Sequence, residues 1–174
     1  MLGSGVKAKP LIIPFDGPYW YFKAPMTGPG PKAHVTFGEP TKANVRSTNW
    51  MPLRMEAHQN LGLPIDLDCC REIDMKVTNA DNRAGRIDIA LVLTDAASPG
   101  RKQMMLGDEP VVSSIGVRTT TQDRAPVTET LRFAIPKAAG LRRFDEIDVI
   151  VQPSVERAKL GSRVAVEEFE LVPK

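Results

Sequence analysis

The feature that most constrains this chain is its alternation: through much of residues 73–171 apolar side chains recur at every second position, in short runs that stop at proline or at turn-forming residues. The clearest run is "RIDIALVLTD", in which Ile87, Ile89, Leu91 and Leu93 fall on one side and Asp88, Ala90, Val92 and Thr94 on the other. A period of two belongs to an extended strand with one buried face, whereas a helix would repeat every 3.6 residues. "EIDMKVTN" repeats the pattern with Ile73, Met75 and Val77, "TLRFAIP" with Leu131, Phe133 and Ile135, and "EIDVIVQP" with Ile147, Val149 and Val151. The last two end at proline, a natural exit from a sheet. "NADNRAG", between the first two runs in chain order, is dense in residues that tolerate turn geometry, so residues 72–95 are expected to form a hairpin.

The final run, "RVAVEEFELVPK", breaks its own phase. Val164 and Val166 share one parity, while Phe169 and Leu171 take the other. A β-bulge near Glu167 and Glu168 would return both pairs to the core side, because one extra residue resets the alternation. Helix is scarce: only "PKAAGLRRFDE" has the composition for a turn or two, and Gly140 interrupts it.

Seven of the fifteen prolines precede residue 41, and "PMTGPGPKAH" cannot continue a helix or a central strand. Residues 1–40 are therefore expected to be an extended N-terminal wrap, not an independent domain, over a β-sandwich domain at 41–174. With 174 residues the chain suffices for one domain that buries roughly 70% of its unfolded surface. The short, uneven runs and long connections favour an all-β fold of two stacked antiparallel sheets over a closed barrel.

Charge narrows the range of partners. The chain has 23 basic and 21 acidic residues and a net charge of +2, which leaves no basic footprint for nucleic acid. No apolar run approaches the roughly 18 residues of a membrane helix, so no membrane span is expected within this chain. The opening "MLGSGVKAKP" has no periodic pattern and reads as a flexible lead-in. Cys69 and Cys70 are the two cysteines. Neighbouring Cα atoms lie about 3.8 Å apart, below the usual disulfide range, so two separate thiols are expected, at least one of them buried; a vicinal disulfide, with a redox or ligand-contact role, is the alternative.

Chemistry has three candidate locations. The first is "NWMPLRMEAHQN": if Leu53, Met55 and Ala57 face the core, Arg54, Glu56, His58 and Asn60 line the opposite face beside Trp50, at intervals of roughly 6.6–6.8 Å. Such a strip suits sugars, whose hydroxyl groups take paired polar partners and whose C–H faces stack on indole or phenol, and it equally suits a merely solvated, salt-bridged face. The second is "FDGPYWYF", which holds five of the ten aromatic residues. Alternation sets Tyr19 and Tyr21 against Trp20 and Phe22; the segment is expected to be core, or to leave the tyrosines open as a stacking platform. The third is metal chemistry. Glu56 and His58 with Asp66 or Asp68 could chelate an ion, but with two histidines in the chain and no paired ligand motif no metal site is expected. "TNADN" and "DLD" offer oxygen ligands for a structural calcium. No G-x-S-x-G, H-E-x-x-H or phosphate-loop motif is present, and a cysteine nucleophile served by His58 has no evident orienting group, so no enzymatic activity is expected.

From about Asn44 onward the succession of "VRSTNWMPLRMEAHQN", "CREIDMKVTN", "RIDIALVLTD", "TLRFAIP", "FDEIDVIVQP" and "RVAVEEFELVP" resembles the galactose-binding-like jelly-roll domains, which include many carbohydrate-binding modules. The resemblance implies a non-catalytic role in binding a glycan or a protein partner, often with a structural calcium and no other cofactor. The chain also looks like an uncharacterised bacterial domain that follows predicted membrane helices. That likeness implies an extracytoplasmic or cell-surface location with an anchor upstream, and makes a structural or protein-interaction domain the alternative to a glycan binder.

Overall fold

The computed structural model describes residues 9–17, 19–22, 54–81, 85–115, 125–138, 140–154 and 163–174. Nine strands are present there: β1 (Leu11–Pro14), β2 (Tyr19–Phe22), β3 (Arg54–Asp66), β4 (Cys70–Asn79), β5 (Ile87–Asp95), β6 (Lys102–Pro110), β7 (Val127–Ala134), β8 (Arg143–Pro153) and β9 (Val164–Pro173). They form a four-stranded sheet in the order β1-β9-β4-β7 and a five-stranded sheet in the order β2-β3-β8-β5-β6. Every pairing is antiparallel. The expected two-sheet jelly-roll sandwich is the fold observed, and among the described residues no helix is long and apolar enough to cross a membrane.

The alternating runs are what hold the sheets together. Ile73, Met75 and Val77 of β4 and Ile87, Ile89, Leu91 and Leu93 of β5 are fully buried, in one cluster with Phe144, Ile147 and Val149 of β8 and Phe169 of β9. Apolar faces turned toward one another exclude water on both sides, at roughly 25 cal/mol per Å² of surface buried.

Strands β4 and β5 do not form the expected hairpin. They belong to different sheets, so the connection after β4 is a crossover. At its start the Asn79 side chain accepts the Asp81 N–H at 2.9 Å and Ala80 N–H donates to the Arg163 carbonyl at 2.9 Å. The physical reason is that each strand has an apolar face: stacked across a core the two faces cover each other, which pairing side by side does not do. The bulge in β9 is present as expected. Lys76 pairs with Glu168 and Val77 with Val166, so Glu167 is the extra residue, and Val164, Val166, Phe169 and Leu171 are all buried.

The N-terminal residues contribute an edge strand to each sheet: β1 lies along β9 and β2 along β3. Pro14, which lacks an N–H, is tolerated on such an edge. Between the two strands Phe15 N–H donates to the Glu167 carbonyl at 2.9 Å, and the Phe15 ring meets Phe169. Gly17 then passes so close to β3 that a Cβ there would stand 1.8 Å from the His58 carbonyl oxygen. The side chains of residues 19–22 and all of residues 23–53 lie outside the described residues, and with them the expected packing of the aromatic run.

Cys69 and Cys70 are joined in a vicinal disulfide, not kept as the separate thiols expected. The expectation rested on the short Cα spacing, which is indeed 3.7 Å and is bridged nonetheless. A short 3-10 turn, Leu67–Cys69, bends the chain just before β4, with Asp66 accepting the Asp68 N–H and Cys70 N–H returning to the Leu67 carbonyl. Cys70 is buried and Cys69 exposed. One further turn of helix, α1 (Val112–Ile115), was not anticipated; the Glu129 carboxylate accepts the N–H groups of Val112 and Ser113 at its start. In "PKAAGLRRFDE" the described residues form a turn at 137–138, and β8 begins at Arg143.

Candidate functional site

Strand β3 presents its two faces as its alternation requires. Met55 and Ala57 are buried at 4% and 0% exposure, and Glu56 and His58 take the opposite, half-exposed side. That outer side continues across the sheet in register. Glu56 stands opposite Ile150 and His58 opposite Asp148 on β8, which face Ala90 and Val92 on β5. Val92 in turn faces Met105 on β6, and the next row runs Asn60, Glu146, Thr94, Gln103. Directly opposed residues in an antiparallel ladder share a face, so these rows form one surface. Glu56, Val92, Gln103, Met105, Asp148 and Ile150 line a cavity of about 320 Å³ on it.

The centre of this surface is a charge-assisted contact. His58 Nδ1 lies 2.6 Å from Asp148 Oδ1, both side chains largely shielded. The hydrogen bond to Asp148 is the main cause that lifts the His58 pKa above 6.5; burial opposes it, and the negative fields of Asp148, Glu146 and Glu56 add to it. An imidazole so held is fixed in orientation, with Nδ1 committed to Asp148. Next to it, Arg101 pairs with the buried Glu146, and Gln103 donates to Thr94 at 3.3 Å. The surface therefore combines oriented polar groups with the apolar Val92, Ile150 and Met105, the last 58% exposed.

Of the residues expected to bind ligand, Glu56 and His58 stand together here. Asn60 lies at the end of the strip, where its side-chain oxygen accepts the Gly62 N–H at 2.8 Å and closes a turn. Arg54 is in register with Phe22, and its side chain lies outside the described residues, as does Trp50 entirely. Tyr19 and Tyr21 pair with Ala57 and Met55, the inward positions of β3, while Trp20 pairs with Glu56. Asp148, Ile150, Gln103 and Met105 went unrecognised in the sequence. The second face of "RIDIALVLTD", itself partly apolar at Ala90 and Val92, was the one signal that the outer side of this sheet is not uniformly polar. Among the described residues no group of three or more His, Cys, Asp and Glu side chains is arranged to hold a metal ion.

No family model matches the chain, and no curated protein matches it in sequence. Among solved structures it is similar to CBM27-1 of Caldicellulosiruptor saccharolyticus in complex with mannohexaose, with a TM-score of 0.50 and 13% identity over 99% of this chain and 87% of that one. It is also similar to TmCBM27, a carbohydrate-binding module of specific mannan recognition (TM-score 0.43, 12% identity, 96% of this chain and 99% of that one). A third similar structure is TmCBM61 with β-1,4-galactotriose (0.34, 11%, 98% and 92%). The first of these likenesses, with the sheet order above, defines the class of fold: a two-sheet antiparallel jelly-roll sandwich, as in that solved structure.

Proposed function

We propose that this chain is a non-catalytic carbohydrate-binding module that takes a glycan on the outer face of the five-stranded sheet. The observation that carries the reading is the pair of adjacent rows in which Glu56 and Asp148, the latter held by His58, stand beside Ile150, Val92 and Met105 around one cavity. A cavity of 300 Å³ or so is enough for part of a sugar chain. Carboxylate and amide groups match paired hydroxyls, and the aliphatic side chains offer an apolar surface to the C–H face of a pyranose. Calorimetric titration against mannohexaose, β-1,4-galactotriose and a wider panel of neutral oligosaccharides tests it. One sugar class binds saturably, and Asp148→Ala or Glu56→Ala lowers its affinity about tenfold or more, the scale of a lost charged hydrogen bond; a flat response to every sugar overturns the reading.

A second reading, an interaction domain of a membrane-anchored or cell-surface protein, draws on the edge strand β1, where Leu11 and Ile12 are 51% and 55% exposed. It requires self-association or partner capture that Ile12→Lys abolishes; sedimentation as a strict monomer with no captured partner counts against it.

A further inference from the structure

A second cleft, of about 740 Å³, lies away from the sugar-binding row, where the Leu67–Cys69 turn, the start of β4, the β7–β8 connection and Lys174 meet. Its floor is apolar: Leu67, Cys70 and Leu141 are exposed by only 4%, 5% and 3%. Its wall is cationic. Among the described side chains, Arg71, Lys137, Arg142 and Lys174 line it against one carboxylate, Asp68. Lys174 Nζ is 3.7 Å from Asp68 Oδ1, in a pair whose side chains are 63% and 93% exposed and which water therefore weakens.

Arg71, Lys137 and Arg142 form no ion pair among the described residues. The remaining charged neighbours are already engaged. Asp66, in an adjoining cavity with Arg142, accepts the Asp68 N–H, and Arg143 is tied to Asp95 at 3.3 Å. The disulfide bears on this geometry, because the Cys69 carbonyl accepts the Lys174 N–H at 3.4 Å and Cys70 pairs with Pro173.

We infer that this cleft binds a sugar unit bearing an oxyanion, a uronate carboxylate or a sulfate ester. Two guanidinium forks are suited to bidentate recognition of a planar carboxylate or a sulfate, more so than ammonium groups are. The volume exceeds what a bare inorganic anion fills and falls in the range of small-molecule sites, and the apolar floor gives the ring a surface to rest on. A polyanion such as nucleic acid would require an extended basic stripe, which a net charge of +2 does not supply. The choice of a sugar as carrier rests on the proposed function; the anion site itself does not.

The test is titration of the intact chain with oligogalacturonate and with a sulfated oligosaccharide, beside their neutral counterparts and inorganic sulfate. An acidic sugar binds, weakening as salt rises, and Arg71→Ala with Arg142→Ala lowers the affinity about tenfold or more, on the scale of two lost charged hydrogen bonds. Asp148→Ala, on the five-stranded sheet and outside this cleft, leaves that binding unchanged, so failure of the neutral-sugar site and failure of this one are told apart. Preference for the uronate or for the sulfate ester identifies the source of the oxyanion. No binding of either acidic sugar, equal competition by inorganic sulfate, or binding insensitive to the paired arginine substitution overturns the inference. Circular dichroism verifies that the doubly substituted protein, altered at two exposed residues, retains its fold.

Discussion

The Phe15 ring meets Phe169 edge to face, with centroids 6.3 Å apart and planes inclined at 78°. Phe169 is fully buried in β9, whereas Phe15 follows the edge strand β1, so one contact joins the N-terminal residues to the core. Phe15→Ala should cost about 1–3 kcal/mol, less than full burial of the ring would imply, and Phe169→Ala about 3–5 kcal/mol. Urea denaturation measures both. Hydrogen exchange in Phe15→Ala should quicken first at residues 11–15, before the rest of the four-stranded sheet responds.

The His58–Asp148 contact gives stability a pH dependence of known sign. The folded-state pKa of His58 is raised above 6.5, so the contribution is fully present below that value and is lost as pH rises through the folded pKa. The stability difference between the parent protein and His58→Gln should therefore be larger near about pH 5.5 than near about pH 8.5, by on the order of 1 kcal/mol. Thermal unfolding at both pH values measures it; a difference that grows toward alkaline pH contradicts the contact.

Gly17 should tolerate no side chain. The methyl group of Gly17→Ala would fall 1.8 Å from the His58 carbonyl oxygen, a backbone atom that cannot rotate away. The loss should be about 1–3 kcal/mol, the range for forced overpacking. Because the clash falls on the β3 residue that contacts Asp148, the His58 side-chain resonances should shift as well.

Asp74 occupies the outer face of the four-stranded sheet, opposite Arg132 on β7 and Glu170 on β9. Burial, with help from Glu72 and Glu170, raises its pKa despite Arg132 and Arg71, and its Oδ1 is enclosed without a hydrogen-bond partner. A carboxyl with a raised folded-state pKa stabilises below its unfolded value and costs stability above it. Asp74→Asn should thus raise the Tm at neutral pH, with a gain of up to about 1 kcal/mol, and the gain should vanish in acid. Calorimetry at both pH values checks the sign.

The bulge in β9 makes a prediction about length. Deleting Glu167 gives Val164, Val166, Phe169 and Leu171 an unbroken alternation, so the ladder with β4 should survive. What disappears is the carbonyl that receives the Phe15 N–H and the carboxylate that receives the Thr78 hydroxyl at 2.8 Å. The deletion variant should fold with a buried Phe169 and a detached β1, visible as lost exchange protection at residues 11–15 alone.

Strands β4, β5, β7, β8 and β9 were legible because each buries one face, and burial writes itself as a period of two. Strand β6 was not: "KQMMLGDEP" is an edge strand with no fully buried residue, and the register skips Leu106 beside Gly107, whose φ of 129° breaks the alternation. Periodicity specifies a face but not a neighbour, which is why β4 and β5 were expected side by side. The same limit applied to the site. The phase of Glu56 and His58 could be read along β3, while Asp148, Ile150 and Met105 arrive from strands distant in sequence, through a register that no local pattern encodes. The vicinal disulfide was legible only as the alternative, because the Cα spacing that argued against it does not report the Asp66-capped turn that leads into Cys70.

The pairing of β1 with β9 bears on how the chain is made. Leu11 finds its partner in Leu171, so β1 leaves the ribosome well before β9 and must wait for it before its backbone groups are satisfied. During vectorial synthesis the apolar pair Leu11 and Ile12 has no native neighbour, and contacts of such high order close slowly. The sandwich is thus finished from its C-terminal end, and a ribosome stalled before β9 should display a chain whose N-terminal edge is still open to proteases and chaperones.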